Sequence, residues 1–162
     1  MRNFGGRRGA LEQLRPLWAL DGCTDRDLGR VESLTSEVHP WPGQVLLKEG
    51  DDASGFFLVL TGHAVATIGD VELGLLGPGA FYGETALLDD GHEPVTVTAC
   101  TAMLVRGAAP AAFEELLLIR PLTHRLLETL ASRQRLALGT ARTEYRRRGD
   151  VSGLTLGAPS GG

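Results

Sequence analysis

The sequence predicts a mainly β fold with flanking helices, in which the strands form an antiparallel sandwich, barrel or jelly roll. Three observations predict it. Short β-type runs between residues 37 and 106 are separated by Gly, Pro and Asp punctuation, and leucines recur at helical spacing before and after them. The chain has 162 residues, of which 43% are hydrophobic, enough for one domain with a core. The predicted strands are Glu37–Trp41, Gln44–Lys48, Gly55–Thr61, His63–Ile68, Val71–Leu76, Val95–Thr101 and Met103–Arg106.

The first 35 residues predict an arm followed by a helical entry. Residues 1–10 are expected to form a flexible N-terminal arm, and the helical entry covers 11–35. Within it, Pro16 interrupts a leucine pattern, so the first helix is expected to be short and broken. A second helix is expected to start at Thr24, because Thr24 and Asp27 form a capping pattern of the Thr-x-x-acid kind. The β-roll then covers 36–107, and the Gly69-Asp70 pair within it suits a two-residue hairpin turn.

Helices return over 110–138, and a tail is predicted for 139–162, basic at first and then rich in Gly and Ser. Residues 111–118 predict a short helix, and a longer one starts near Pro121. Its leucines divide into two sets. Leu122, Leu126, Leu127 and Leu130 are expected to pack on the roll, and Leu136 and Leu138 are available to meet a protein partner or a second copy. The basic cluster at Arg142, Arg146, Arg147 and Arg148 suits a solvated helix C-terminus, and the alternative is a contact with nucleic acid or an acidic partner.

Composition and motifs argue against several classes of protein. Cys23 and Cys100 cannot form a disulfide framework and are expected to be buried reduced thiols. No apolar run is long enough for a secretory signal or a membrane span, so a cytoplasmic protein is expected. The net charge of -4 does not favour nucleic acid. No catalytic triad, P-loop or metal-type His-x-His pair occurs, so no enzyme and no metal is expected; the histidines are His39, His63, His92 and His124.

The segment from Phe81 to Ala99 carries the functional argument. A strand ends there, glycines follow, and a very short helix begins near Glu84. The first amides of such a helix carry partial positive charge and suit an anion. Gly83 would let the backbone approach a ligand closely, and Glu84 could accept hydrogen bonds from a sugar hydroxyl.

This segment resembles the phosphate-binding cassette of cyclic-nucleotide-binding domains, the sensor domains of catabolite-activator-type bacterial regulators and of cyclic-AMP-dependent protein kinase. The resemblance runs over residues 14–137. The motifs that carry it, in chain order, are Leu17-Trp18, Gly43-Gln-Val-Leu, Glu49-Gly-Asp, Phe56-Phe-Leu-Val-Leu-Thr-Gly, Leu76-Gly-Pro-Gly-Ala-Phe and Gly83-Glu-Thr-Ala-Leu-Leu. It implies a β-roll between helices, with cAMP or cGMP as the ligand if one binds.

The resemblance also implies roles for individual residues, and the sequence departs from it at one place. Glu84 would bind the ribose 2′-hydroxyl, and the backbone of Gly83, Thr85 and Ala86 would face the cyclic phosphate. The family then has Pro-Arg followed by Ser, Thr or Ala, where Arg pairs with the phosphate. If the family pattern is aligned without a gap, its Pro, its Arg and the residue after them fall on His92, Glu93 and Pro94. A carboxylate repels the anion that arginine would bind, and proline offers no N–H.

The departure leaves three interpretations. The pocket is degenerate and the domain is kept for its surfaces; or the pocket is filled from within by His92, Arg106 or Arg125; or the ligand differs and is less anionic. We expect the first two together, in a stand-alone regulatory or protein-interaction module with weak or lost cyclic-nucleotide binding. The alternative is a functional cAMP or cGMP sensor that acts on a partner protein. Sequence-specific DNA binding is not expected, because too few residues follow Leu138 for a helix-turn-helix domain.

Overall fold

The computed structural model describes residues 4–147. The helices are α1 (Phe4–Leu14), α2 (Asp25–Leu34), α3 (Glu84–Asp89), α4 (Pro110–Leu116) and α5 (Arg120–Arg147), with a 3-10 turn at Trp18–Leu20. The strands are β1 (Ser36–Val38), β2 (Val45–Leu47), β3 (Phe56–Thr61), β4 (Ala64–Ile68), β5 (Val71–Leu76), β6 (Phe81–Tyr82), β7 (Thr96–Ala99) and β8 (Leu104–Ala108).

The strands form two antiparallel four-stranded sheets, in the orders β1-β8-β3-β6 and β2-β7-β4-β5. Consecutive strands lie in different sheets, except that β4 and β5 are neighbours in one sheet. The predicted fold class, an antiparallel β-roll with flanking helices, is confirmed. The β4–β5 hairpin closes through Gly69-Asp70, with Ile68 opposite Val71, as predicted. A shared apolar core lies at the centre: Leu47, Val59, Ala64, Tyr82, Val97, Ala99, Met103 and Val105.

Helix α2 begins with the predicted cap. The Thr24 hydroxyl accepts a hydrogen bond from the Asp27 N–H at 3.2 Å, and the Asp27 carboxylate accepts one from the Thr24 N–H at 2.9 Å. These reciprocal bonds satisfy backbone donors that the first helical turn leaves without partners, and they lower the pKa of Asp27. Leu28 and Val31 follow on the buried face of the helix.

Several elements differ from the prediction. The loose arm predicted for residues 1–10 is helical from Phe4, and residues 1–3 lie outside the described part of the chain. Helix α5 continues to Arg147, into the segment predicted as a tail; residues 148–162 lie outside the described residues. Cys100 is exposed and Cys23 half-buried, so the expectation of two buried thiols is wrong.

The chain divides after Arg125 into two compact units. Within the first unit, Leu122 is buried. In the second, the α5 segment over 131–140 is exposed throughout, and Leu127 is 61% exposed, contrary to the expectation that it packs on the roll. Leu136 and Leu138 are also exposed. No helix among the described residues is long and apolar enough to span a bilayer.

Trp18 connects the helical entry to the turn before the short helix α3. Its ring lies against Gly79 so closely that a Cβ at that position would overlap it. The ring centroid is also 5.9 Å from that of Phe81. The entry segment therefore packs directly against the chain that leads into α3.

Arg106 on β8 joins the first sheet to the end of α2. The residue is 7% exposed, and its guanidinium donates to the Thr35 hydroxyl at 2.9 Å, the Thr35 carbonyl at 2.9 Å and the Glu32 carbonyl at 2.7 Å. The carboxylate of Glu37 lies 3.6 Å away. One side chain thus satisfies carbonyl groups that the C-terminal turn of a helix leaves without intrahelical partners.

Replacing Arg106 by Met is expected to lower the free energy of unfolding by about 3 kcal/mol, because buried carbonyl groups lose their donor. Urea unfolding followed by circular dichroism measures the change. The matched control is Arg26→Met on the exposed side of α2, expected to change stability by less than about 0.5 kcal/mol. Equal losses of stability in the two variants would show that Arg106 does not stabilise the contact between β8 and the end of α2.

Candidate functional site

The predicted cassette is built around α3. Strand β6 ends at Tyr82, and Gly83 caps the helix in the left-handed region at φ 88°. Glu84 is the first helical residue and is only 1% exposed, although its side chain carries a carboxylate. The Thr85 hydroxyl donates to Glu84 Oε1 at 3.3 Å. The helix starts within one residue of the predicted position and places the Glu84 carboxyl in the interior.

Gly83 has a structural reason for being glycine. A Cβ at this position would overlap the carbonyl oxygen of Gly55, at the start of β3. The Gly55 position is crowded in turn, because a Cβ there would meet the carbonyl oxygen of Ala108. We predicted that Gly83 permits the close approach of a ligand. The structure shows that the close approach is between segments of the chain itself.

The second half of the cassette, around Glu93, is fixed by backbone pairing with the β2–β3 loop. The Glu93 N–H donates to the Asp51 carbonyl at 2.8 Å, and the Gly50 N–H donates to the Glu93 carbonyl at 2.9 Å. An isolated bridge joins Asp52 to His92. Since neighbouring side chains alternate along an extended segment, Glu93 is buried at 3% exposure between the exposed residues His92 and Pro94.

The Glu93 carboxyl is in an unfavourable place for a charge. Its burial, and then the nearby charges of Glu84 and Asp51, raise its pKa to about 7, while a hydrogen bond from the Ser54 N–H opposes the increase. Its Oε1 atom is fully buried and has no hydrogen-bond partner within residues 4–147. The cassette therefore contains two interior carboxyl groups, and Glu93 is half protonated near neutral pH.

The structure brings some of the predicted site residues together and separates others. Gly83, Glu84, Thr85 and Ala86 form the start of α3, and Glu93 is close enough for its charge state to depend on Glu84. Pro94 precedes β7 and is exposed. His92 does not fill a pocket from within, because its side chain is exposed and its Nδ1 lies 3.0 Å from the exposed Asp52 carboxylate. Its role as a pocket neighbour stays a prediction.

The two arginines considered for filling the pocket from within, Arg106 and Arg125, are both engaged elsewhere. Arg106 is occupied at the end of α2, as described above, and Arg125 donates to Asp21 at 2.8 Å. Among the described residues, no group of three or more His, Cys, Asp or Glu side chains could hold a metal ion.

Sequence reasoning missed the loop that surrounds Glu93. Asp51 and Ser54 both act on its carboxyl, yet the sequence identified Gly50-Asp51-Asp52 only as a turn. The signal that could have found them is the pairing of this turn with the segment 91–93, a contact between residues about forty positions apart. Such non-local contacts leave no periodic pattern in a sequence.

Comparisons with known proteins agree with this geometry. The family model for the cyclic nucleotide-binding domain matches residues 38–119. A cAMP-dependent protein kinase regulatory subunit from Colletotrichum orbiculare is 30% identical over 116 residues, which are 70% of this chain and 30% of that protein. The acetyltransferase Pat from Mycolicibacterium smegmatis is 34% identical over 129 residues, 75% of this chain and 38% of that protein. The chain thus spans well under half the length of both relatives.

The fold is also found in solved structures. The Thermus thermophilus catabolite activator protein superposes with a TM-score of 0.69 at 24% identity, over 78% of this chain and 63% of that one. At that identity the likeness concerns the fold. The family model covers half of the chain and matches the segment that contains strands β2 to β8 and the cassette, so the chain belongs to the cyclic nucleotide-binding domain family.

Proposed function

We propose that this chain is a non-enzymatic regulatory or protein-interaction module in which the capacity to bind cAMP or cGMP is weak or lost. The observation that carries the proposal is the buried carboxyl of Glu93. The family resemblance, aligned without a gap, assigns this position to the phosphate-binding arginine, and the charge of a second interior acid, Glu84, acts on the Glu93 carboxyl. Pro94, the next residue, has no N–H for a phosphate oxygen.

Simple electrostatics gives the size of the effect. Two like unit charges about 4 Å apart repel by ~4 kcal/mol at an effective dielectric near 20. Such a penalty corresponds to an affinity loss of about three orders of magnitude. Because the pKa of Glu93 is about 7, protonation removes only part of this penalty at neutral pH. The amides of α3 remain, but they lack the cation that would pair with the phosphate.

The related proteins support a regulatory role with a protein partner. One is a kinase regulatory subunit and another an acetyltransferase, and this chain matches less than half of each. The parts of the chain described here contain no arrangement that we can assign to catalysis. We infer a module that acts on a protein partner or a second copy.

The direct test is calorimetric titration of the chain with cAMP and with cGMP. We expect dissociation constants above about 100 μM, because anion repulsion replaces a charge-assisted pair. A sub-micromolar dissociation constant for either nucleotide would contradict the proposal. It would instead support the second candidate, a functional cyclic-nucleotide sensor, which the retained Gly83-Glu84 start of the cassette favours.

A further inference from the structure

We propose that the tip of the β2–β3 loop, residues 50–54, and the segment 91–94 form a proton-dependent switch. Their contact is closed while the buried carboxyl of Glu93 is protonated, and it opens when that carboxyl is charged. The switch acts in the chain without any nucleotide and is therefore independent of the proposed function. It depends on an ionisable side chain that is 3% exposed between two exposed neighbours, His92 and Pro94.

Backbone hydrogen bonds hold the loop tip against Glu93. The Glu93 N–H donates to the Asp51 carbonyl at 2.8 Å, and the Gly50 N–H donates to the Glu93 carbonyl at 2.9 Å. The contact of 3.0 Å between His92 Nδ1 and the Asp52 carboxylate adds little, because both side chains are exposed. Residues 50–52 of the tip are exposed as well. An exposed segment of this kind opens at a lower free energy than the core.

The loop tip lies between two fixed points. Glu49, just before the tip, donates its N–H to the Thr96 hydroxyl on β7 at 3.0 Å. Gly55, just after the tip, is packed so closely that a Cβ there would overlap the carbonyl oxygen of Ala108. The tip can therefore lift while both of its ends and the two sheets stay in place, which gives the two states that a switch requires.

The Glu93 carboxyl fits the closed state best when it is neutral. Its Oε1 atom is fully buried and accepts no hydrogen bond from any residue between 4 and 147. A charged oxygen costs much more to bury in this way than a neutral carboxyl does. The charges of Glu84 on α3 and Asp51 in the tip also disfavour ionisation, and the hydrogen bond from the Ser54 N–H opposes them. Lifting the tip admits water to the carboxylate and removes the cost.

The pKa of Glu93 sets the pH range of the switch. Burial in the closed state raises this pKa from 4.5 to about 7, and exposure to water in the open state returns it toward the ordinary value. Between these two values the closed state keeps a proton that the open state releases. Closing is therefore favoured at low pH, and the advantage is lost as the pH rises to about 7. Above that pH both states are charged, and the equilibrium changes little.

Amide hydrogen exchange followed by NMR measures the opening of the tip. We expect the protection factors of the Gly50 and Glu93 amides to fall at least about tenfold between about pH 5 and pH 7, after correction for intrinsic exchange rates. The internal control is the opposite end of the β2–β7 pair. There the Gly43 N–H donates to the Ala99 carbonyl, and the Ala99 N–H donates to the Gln44 carbonyl, both at 2.8 Å. Protection at Gly43 and Ala99 should change less than about threefold.

Three variants identify the group that titrates. Glu93→Gln is neutral at every pH, as the protonated acid is, and should keep the Gly50 amide protected throughout the range. Glu114→Gln removes an exposed carboxylate on α4 and should leave the parent behaviour unchanged. His92→Asn removes the neighbouring histidine and should retain the pH dependence.

The proposal is wrong if protection at Gly50 and Glu93 does not change with pH, if it falls equally at Gly43 and Ala99, or if His92→Asn abolishes the change. Persistence of the pH dependence in Glu93→Gln would also overturn it. Should circular dichroism show that Glu93→Gln is unfolded, the carboxyl carbon shift of Glu93 in the parent chain decides. A titration midpoint near 4.5 contradicts the switch, and one near 7 supports it.

Discussion

Replacing Glu93 by Arg and Pro94 by Ser together is expected to increase the affinity for cAMP at least a hundredfold. The change replaces a repulsive carboxylate by a guanidinium that can pair with a phosphate oxygen in bidentate geometry, and it restores a backbone N–H beside it. The change also removes the like-charge repulsion between Glu84 and the carboxyl of Glu93. Replacing electrostatic repulsion by attraction changes the binding free energy by several kcal/mol. A hundredfold gain in affinity needs only about 2.7 kcal/mol.

Calorimetric titration measures this gain, and two variants separate its causes. Pro94→Ser alone restores the N–H and leaves the acid. Glu114→Arg makes the same change in net charge on the exposed side of α4 and should not improve binding. If the double variant binds cAMP no better than the parent chain, the deficit lies elsewhere in the cassette, for example at Glu84.

Replacing Gly83 by Ala is expected to lower the free energy of unfolding by more than about 3 kcal/mol. Two costs add. The residue adopts φ 88°, which costs an L-residue roughly 1–2 kcal/mol. The new methyl group would also overlap the Gly55 carbonyl oxygen, so the β3 backbone or α3 must shift. Urea unfolding followed by circular dichroism measures the loss.

The matched control is Gly43→Ala. Gly43 has nearly the same backbone angle, φ 85°, but a Cβ there would meet nothing within 4 Å. Gly43→Ala should therefore show the cost of the backbone angle alone, and the difference between the variants isolates the steric cost. Equal losses of stability would mean that the contact between Gly83 and Gly55 does not constrain the cassette.

Local patterns in the sequence predicted much of the fold. The Thr24–Asp27 cap, the Gly69-Asp70 turn and the start of α3 at Glu84 all depend on neighbouring residues, and the structure has each where it was predicted. The family resemblance added the β-roll between helices and the location of the cassette. The matched segment, residues 38–119, contains strands β2 to β8 and the cassette.

Features that depend on distant residues were not predictable in this way. Strand β6 has two residues, too few for an alternating pattern, and exists because Phe81 and Tyr82 pair with β3. Arg106 was one of three side chains considered for filling the pocket, because no pattern in the sequence shows that the end of α2 lies beside β8. The burial of Glu93 depends on its pairing with the loop at Asp51, which fixes the direction of its side chain.

Trp18 packs against Gly79 and Phe81, so its fluorescence can report on the cassette. The chain has two tryptophans, and the other, Trp41, is 65% exposed. In a Trp41→Phe background, ultraviolet emission would come from the indole that touches the segment entering α3. Occupancy of the site could then be followed in a stopped-flow fluorimeter without attaching a dye.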